Sequence, residues 1–246
     1  MLPVAVLAGG LGTRLRDVTG DLAPKVLVPV RGRPFLDYKL EGLASAGLTD
    51  VVLLVGHHGE RIRSHVGDGR SFGLRVTCLD DGLELRGTGG ALLQALPRLG
   101  EQFWVTYGDT LVQFDVAQAE AAFHRGRRRC LMTVLPARSV GEPPEPSNAR
   151  VEGDLVVEYA KDPRPEGADH VDYGMLALHR DTLTEQPSTR GFDLADLLTR
   201  LARARDVTAF EVSERFHDVG TPEALAETEK WLAHQRPLRG PARRGR

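Results

Sequence analysis

The chain has little cysteine, little lysine, no long apolar run and almost no net charge. Two cysteines, Cys78 and Cys130, are too few for a disulfide framework or a thiolate metal cluster, so both read as buried thiols in a reducing compartment. No apolar stretch approaches the roughly 18 residues of a membrane span. Met1-Leu2-Pro3 has no basic region before its short apolar run, which argues against a signal peptide. A formal net charge of −2 lacks the basic excess of a nucleic-acid binder. There is no Gly-x-Ser-x-Gly hydrolase elbow and no paired-Cys or His-Glu-x-x-His zinc pattern, and His57 and His58 have no metal-ligand companion. The expectation is a cytoplasmic protein with neither nucleic acid nor membrane as a partner.

Lysine is rarer than the charge balance suggests. Of 32 Lys plus Arg, only Lys25, Lys39, Lys161 and Lys230 are lysine. Lys39 and Lys230 fall on helical patterns and read as solvated positions. Lys25 and Lys161 sit in motif-like contexts, where a compact ammonium and a guanidinium fork are not interchangeable.

What is present is an ordinary globular composition, 41% hydrophobic and 27% charged over 246 residues, enough for a substantial core. Apolar runs at Val4–Ala8, Val51–Val55, Leu74–Leu79 and Phe103–Tyr107 alternate with helical patterns after Pro34, from His58 to Val66 and from Ala91 to Leu96. That alternation predicts an α/β fold with a doubly wound, mostly parallel sheet. In the second half, Cys130–Ala137, His170–Leu178 and Val207–Val212 read as strands. Gly153-Asp154 reads as a hairpin turn between Ala149–Glu152 and Leu155–Tyr159. Leu194, Leu197, Leu198 and Leu201 mark one face of a helix begun at Asp193. Residues 216–220 read as a loop, and Thr221-Pro222 as the start of a closing helix. The expected organisation is a single domain over residues 1–235, with residues 236–246 a disordered basic tail.

The first strand empties into Gly9, Gly10 and Gly12, followed by Thr13 and Arg14. Bare backbone N–H groups can approach an anion there, and Arg14 adds a planar fork suited to phosphate oxygens. Lys25, between Pro24 and a further apolar run, adds a second positive charge. The stretch is not a P-loop, which would need Gly-Lys-Ser/Thr. Nor is it the dinucleotide fingerprint, since Leu15 stands where the third glycine belongs.

Leu7 to Leu15, with Pro24-Lys25 and Pro29-Val30, resembles the signature of the sugar-nucleotide pyrophosphorylases, which open with Leu-Ala-Gly-Gly-x-Gly-Thr-Arg-Leu. That family joins an NTP to a sugar 1-phosphate. The resemblance implies a Rossmann-like nucleotidyltransferase fold with a small β-rich insertion that binds the sugar, and it implies a Mg²⁺ cofactor. Leu7, Ala8, Gly9, Gly10, Gly12, Thr13, Arg14 and Lys25 would then contact the nucleotide, with Arg14 and Lys25 the catalytic cations. Gly87, Thr88 and Gly89 resemble the family segment that lies against base and sugar. Asp109 and Asp218, each otherwise a turn residue, match the metal-binding aspartates, and Asp109 lies against the nucleotide. Lys161, otherwise an exposed strand-end lysine, matches the lysine that contacts the sugar phosphate. Ala160 replaces the family glutamate beside it, with Glu158 or Asp162 as substitutes. Tyr173 and Gly174 lie where relatives carry Asn-Ala-Gly; Tyr173 is either a sugar-stacking ring or a packed strand aromatic. The ending Phe-x-Asp-x-Gly-Thr-Pro-Glu looks most like the heptose or mannose 1-phosphate guanylyltransferases. The rivals are an N-acetylmuramate-type uridylyltransferase and a non-catalytic regulatory homologue that binds a nucleotide sugar. A homodimer is compatible with the sequence, which is silent on oligomeric state.

Overall fold

The computed structural model describes residues 1–10, 24–56, 58–80, 87–138, 145–185 and 191–235. In the first half these form β1 (Val4–Leu7), β2 (Pro29–Val30), β3 (Arg33–Pro34), α1 (Phe35–Ser45), β4 (Asp50–Val55), α2 (Gly59–Val66), β5 (Arg75–Asp80), α3 (Gly87–Ala95), β6 (Gln102–Tyr107) and β7 (Thr110–Leu111). The second half comprises α4 (Val116–Gly126), β8 (Cys130–Pro136), β9 (Ala149–Glu152), β10 (Leu155–Tyr159), β11 (His170–His179), α5 (Asp181–Thr184), α6 (Leu194–Arg203), β12 (Val207–Glu211), β13 (His217–Asp218) and α7 (Pro222–His234).

One nine-stranded sheet runs β5-β4-β1-β6-β11-β8-β12-β10-β9. The expected parallel block is β5, β4, β1 and β6. The rest is mixed. β11 enters antiparallel between β6 and β8, β12 pairs parallel with β8, and the β9–β10 hairpin closes the edge antiparallel. The central strands are apolar on both faces because both are covered. Val4 and Val6 pack into the cluster that includes Leu36, Leu40, Ile62 and Phe123, while Ala5 packs into the one that includes Leu92, Leu194 and Leu198. Helices therefore lie on either side of the sheet, as the alternating strand periodicity requires.

Three elements differ from the sequence reading. α3 begins at Gly87, inside the glycine run, because Gly89 N–H bonds Phe192 O at 3.0 Å and the turn packs on that residue. α4 was not foreseen; Asp115 caps it by accepting from Gln118 N, and Val116, Ala119 and Phe123 bury its inner face. Residues 216–220 are not all loop, since His217–Asp218 pairs with β7 in a two-stranded ladder. Residues 236–246, expected to be a tail, lie outside the described residues, as do residues 139–144 and His57. Among the described residues no helix is long and apolar enough to cross a membrane.

Candidate active site

β1 and β6 run parallel, with Leu7 beside Tyr107, so their carboxyl ends discharge Gly9-Gly10 and Gly108-Asp109 side by side. Crevices at such strand ends are where open α/β sheets bind ligands. Gly108 permits the close approach: a Cβ there would lie 3.1 Å from both Leu7 O and Val26 Cγ1. Gly10 is exposed with open space around its Cα, whereas Ala8 is buried and its N–H is held by Leu54 O. Gly12, Thr13 and Arg14 lie outside the described residues.

Lys25 stands on the single 3-10 turn that follows Pro24. Its Nζ donates to Asp109 Oδ2 at 2.6 Å, and the Asp109 side chain keeps 32% of its surface exposed. The β7–β13 ladder sets Asp218 opposite Thr110, and Val219 N donates to Asp109 O at 3.1 Å. Asp218 Oδ1 accepts from Gly220 N at 2.5 Å, and Thr228 of α7 holds the Asp218 carbonyl. A Cβ built on Gly220 would lie 2.7 Å from Asp218 Oδ1 and 3.6 Å from Lys25 Nζ. Lys25, Asp109 and Asp218, from three distant segments, thus gather at one point. Two carboxylates there, one partly exposed, suit a hard cation that takes its remaining oxygens from water and phosphates. Among the described residues no group of three or more potential ligands forms a self-sufficient metal cage.

A second polar group lies beside the first. Lys161 Nζ sits 5.6 Å from the centroid of the Tyr107 ring. Asp172 Oδ2 accepts from Tyr159 Oη at 3.2 Å, and its Oδ1 accepts from Gly174 N at 3.0 Å. Burial pushes the Asp172 carboxyl up, opposed by the Gly174 N–H, the Lys161 charge and the Tyr159 hydroxyl. Burial, then the carboxylates of Asp172, Asp193, Asp109 and Glu145, push the Tyr107 phenol well above its ordinary value. Tyr107 therefore stays a protonated donor at neutral pH.

Several expectations need correction. Tyr173 cannot stack on a sugar: it is fully buried, edge-on to Phe114 and Phe216, and its hydroxyl exchanges hydrogen bonds with the backbone of Gln113. Gly174 is buried with φ +87°, its N–H on Asp172 and its carbonyl on Thr106 Oγ1, so both its backbone groups are taken up within the protein. Glu158 faces away. Neighbouring side chains on a strand point to opposite sides; Tyr159 reaches Asp172, while Glu158 pairs with Arg150 at 3.0 Å in a lateral pocket of about 560 Å³ lined also by Arg164, Arg203 and Arg205. Thr88 and Gly89 hold the start of α6. Thr88 Oγ1 donates to Asp193 Oδ1 and accepts from Leu194 N, and a Cβ on Gly89 would collide with the Phe192 ring at 2.1 Å. Gly87, with φ +67°, is exposed at the start of that turn.

Lys39 is not solvated. It is 2% exposed, and its Nζ donates to Thr106 Oγ1 at 2.8 Å and Thr110 O at 2.7 Å. Burial pushes its pKa down to about 7, with Asp109 pulling the other way. Sequence reasoning also passed over Tyr107 and gave no role to Asp172. The available signal was position, a polar aromatic as the last residue of a buried strand immediately before Gly108-Asp109.

Residues 4–148 match the family model described as nucleotidyl transferase. A glucose-1-phosphate thymidylyltransferase from Streptomyces antibioticus is 32% identical over 92% of this chain and 64% of its own length. A mannose-1-phosphate guanylyltransferase from Mycobacterium tuberculosis is 29% identical over 96% of this chain and 67% of its own. Among solved structures, HddC from Yersinia pseudotuberculosis, complexed with GMP-PN, superposes with a TM-score of 0.77 over 94% of this chain and all of that one, at 24% identity. The chain thus spans about two thirds of the length of the curated relatives it matches end to end.

Proposed function

Since this chain belongs to the nucleotidyl transferase family, we propose that it joins an NTP, with GTP favoured, to a heptose- or mannose-type sugar 1-phosphate, giving an NDP-sugar and pyrophosphate in the cytoplasm. The observation that carries this reading is the meeting of Lys25, Asp109 and Asp218 through the β7–β13 ladder, beside the glycine loop that follows β1. Asp109 and Asp218 would hold Mg²⁺, which when bound supplies positive charge to the triphosphate and the departing pyrophosphate.

The remaining work falls to the chain itself. The nucleophile is a phosphate oxygen of the sugar 1-phosphate, whose second pKa lies near about 6, so no side chain has to remove a proton. That oxygen bonds to the α-phosphorus as the bond to the β-phosphate bridging oxygen breaks, and pyrophosphate leaves with the electron pair. Catalysis then consists of positioning and charge neutralisation. Lys25, poised on Asp109, and Arg14 neutralise the nucleotide phosphates, and the Gly9-Gly10 backbone lets them approach. Lys161 holds the phosphate of the sugar.

A second reading, transfer from dTTP to a glucose-type 1-phosphate, is favoured by the thymidylyltransferase match over 92% of the chain. The reading is tested by pyrophosphate release, measured as a matrix of NTPs against hexose and heptose 1-phosphates. One pair should outpace the others, and Asp109→Asn or Asp218→Asn should lower its rate by about 100-fold or more. A regulatory homologue would bind nucleotide sugar and release no pyrophosphate. Undiminished turnover in either variant counts against the metal assignment.

A further inference from the structure

Tyr107 ends β6 two residues before Asp109, and its hydroxyl is buried without a hydrogen-bond partner among the described residues. Buried phenols ordinarily have one, because a desolvated donor left unmet is costly. Phe103, Val105 and Tyr107 share one face of β6. The first two lie in the hydrophobic core, so Tyr107 is the residue at which that face leaves the core and reaches the site. Its polar surroundings are specific. Lys161 lies over its ring, and Asp172, immobilised by Tyr159, Gly174 and Asn148, lies close by. Glu158, three residues before Lys161, is turned away toward Arg150.

Lys161, the Tyr107 phenol and the fixed Asp172 carboxylate therefore form one polar group. Resting on the transferase reading above, we propose that Tyr107 and Asp172 form the specificity-determining pair for the sugar. Tyr107 Oη donates to the oxygen of a free ring hydroxyl, and that hydroxyl donates to Asp172. The substrate class that follows is a sugar 1-phosphate unsubstituted at the facing position, with deoxy and O-alkylated sugars rejected. A site built around an unmet donor discriminates strongly against an analogue that leaves it unmet.

The test is Tyr107→Phe, which removes one oxygen and keeps both the ring and its contact with Lys161. Steady-state kcat/KM is measured for the preferred sugar 1-phosphate and its monodeoxy analogues, with wild type and variant in parallel. The wild type should prefer the parent sugar over one monodeoxy analogue by about 100-fold or more, and in Tyr107→Phe that preference should shrink at least about 10-fold. The KM for the NTP should stay within about twofold, and the melting temperature should not fall, since the oxygen removed makes no hydrogen bond among the described residues. An unchanged preference in an active variant would overturn this inference alone. Absence of turnover by the wild type with every NTP and sugar would overturn the transferase reading, and this inference with it.

Discussion

At the scale of single residues, the site separates side chains that one-dimensional reading treats alike. Lys161 and Glu158 lie three positions apart on one segment, yet only Lys161 reaches Tyr107 and the field of Asp172. Lys161→Ala is therefore expected to raise the KM for the sugar 1-phosphate by about 10-fold or more while the NTP value stays within about twofold. Glu158→Gln should leave both unchanged; parallel initial-rate curves in the two substrates decide the matter. Lys39 makes a different prediction. Its folded pKa of about 7 lies below its ordinary value of 10.5. Between those pH values the unfolded chain binds the extra proton, so this lysine makes stability rise with pH across that window and contributes no slope below it. Each pH unit inside the window is worth up to about 1.4 kcal/mol. Lys39→Met should therefore flatten the increase in urea-unfolding free energy between pH 7.5 and 9; an increase equal to that of the wild type would show that Lys39 does not titrate there. Periodicity placed Lys39 on a helix, but only the packing of α1 against Thr106 and Thr110 shows that it is buried.

At the scale of elements, the two-residue strands β7 and β13 matter most to the chemistry. Neither is long enough to announce itself by alternation, and β13 falls where turn residues predict a loop. Their pairing sets Asp218 beside Asp109. Gly220 allows the arrangement to close, because a Cβ there would press on Asp218 Oδ1 at 2.7 Å. The atom pressed is the far end of a side chain, so the strain can be relieved by moving the carboxylate. Gly220→Ala is accordingly expected to cost about 10-fold or more in kcat/KM and to raise the Mg²⁺ concentration needed for half-maximal rate, with a melting temperature lowered by only a few degrees. Calorimetry together with a metal titration would separate this outcome from simple unfolding. The glycines of α3 illustrate the converse. Gly87-Thr88-Gly89 looks like a ligand loop in sequence, but Thr88 and Gly89 fit the segment to Phe192 and the start of α6, an assignment that depends on residues more than a hundred positions away.

At the scale of the whole molecule, β11 inserts antiparallel between β6 and β8 and makes one sheet of the two halves. Unfolding of either half would expose the edge of the other. Trp104 reports from the buried centre of β6, and Trp231 from α7 against the cluster of Val28, Val30 and Phe35. Urea transitions followed by tryptophan fluorescence and by far-ultraviolet circular dichroism should therefore share one midpoint. Separate midpoints would show that the halves unfold independently despite the common sheet.

The amino-acid sequence by itself determined the α/β class, the parallel block around β1, most helix starts and the identity of Lys25, Asp109, Asp218 and Lys161 as candidates. These are written in local signals: apolar runs, caps, glycines after strands and the order of short motifs. Tertiary structure alone decided that three of those residues meet, that Tyr173 and Lys39 are interior, that Glu158 faces outward, and that Tyr107 ends a buried strand with its hydroxyl unpaired among the described residues. Such outcomes depend on strand order, register and the faces that pack together, which are set by contacts between residues far apart in the chain.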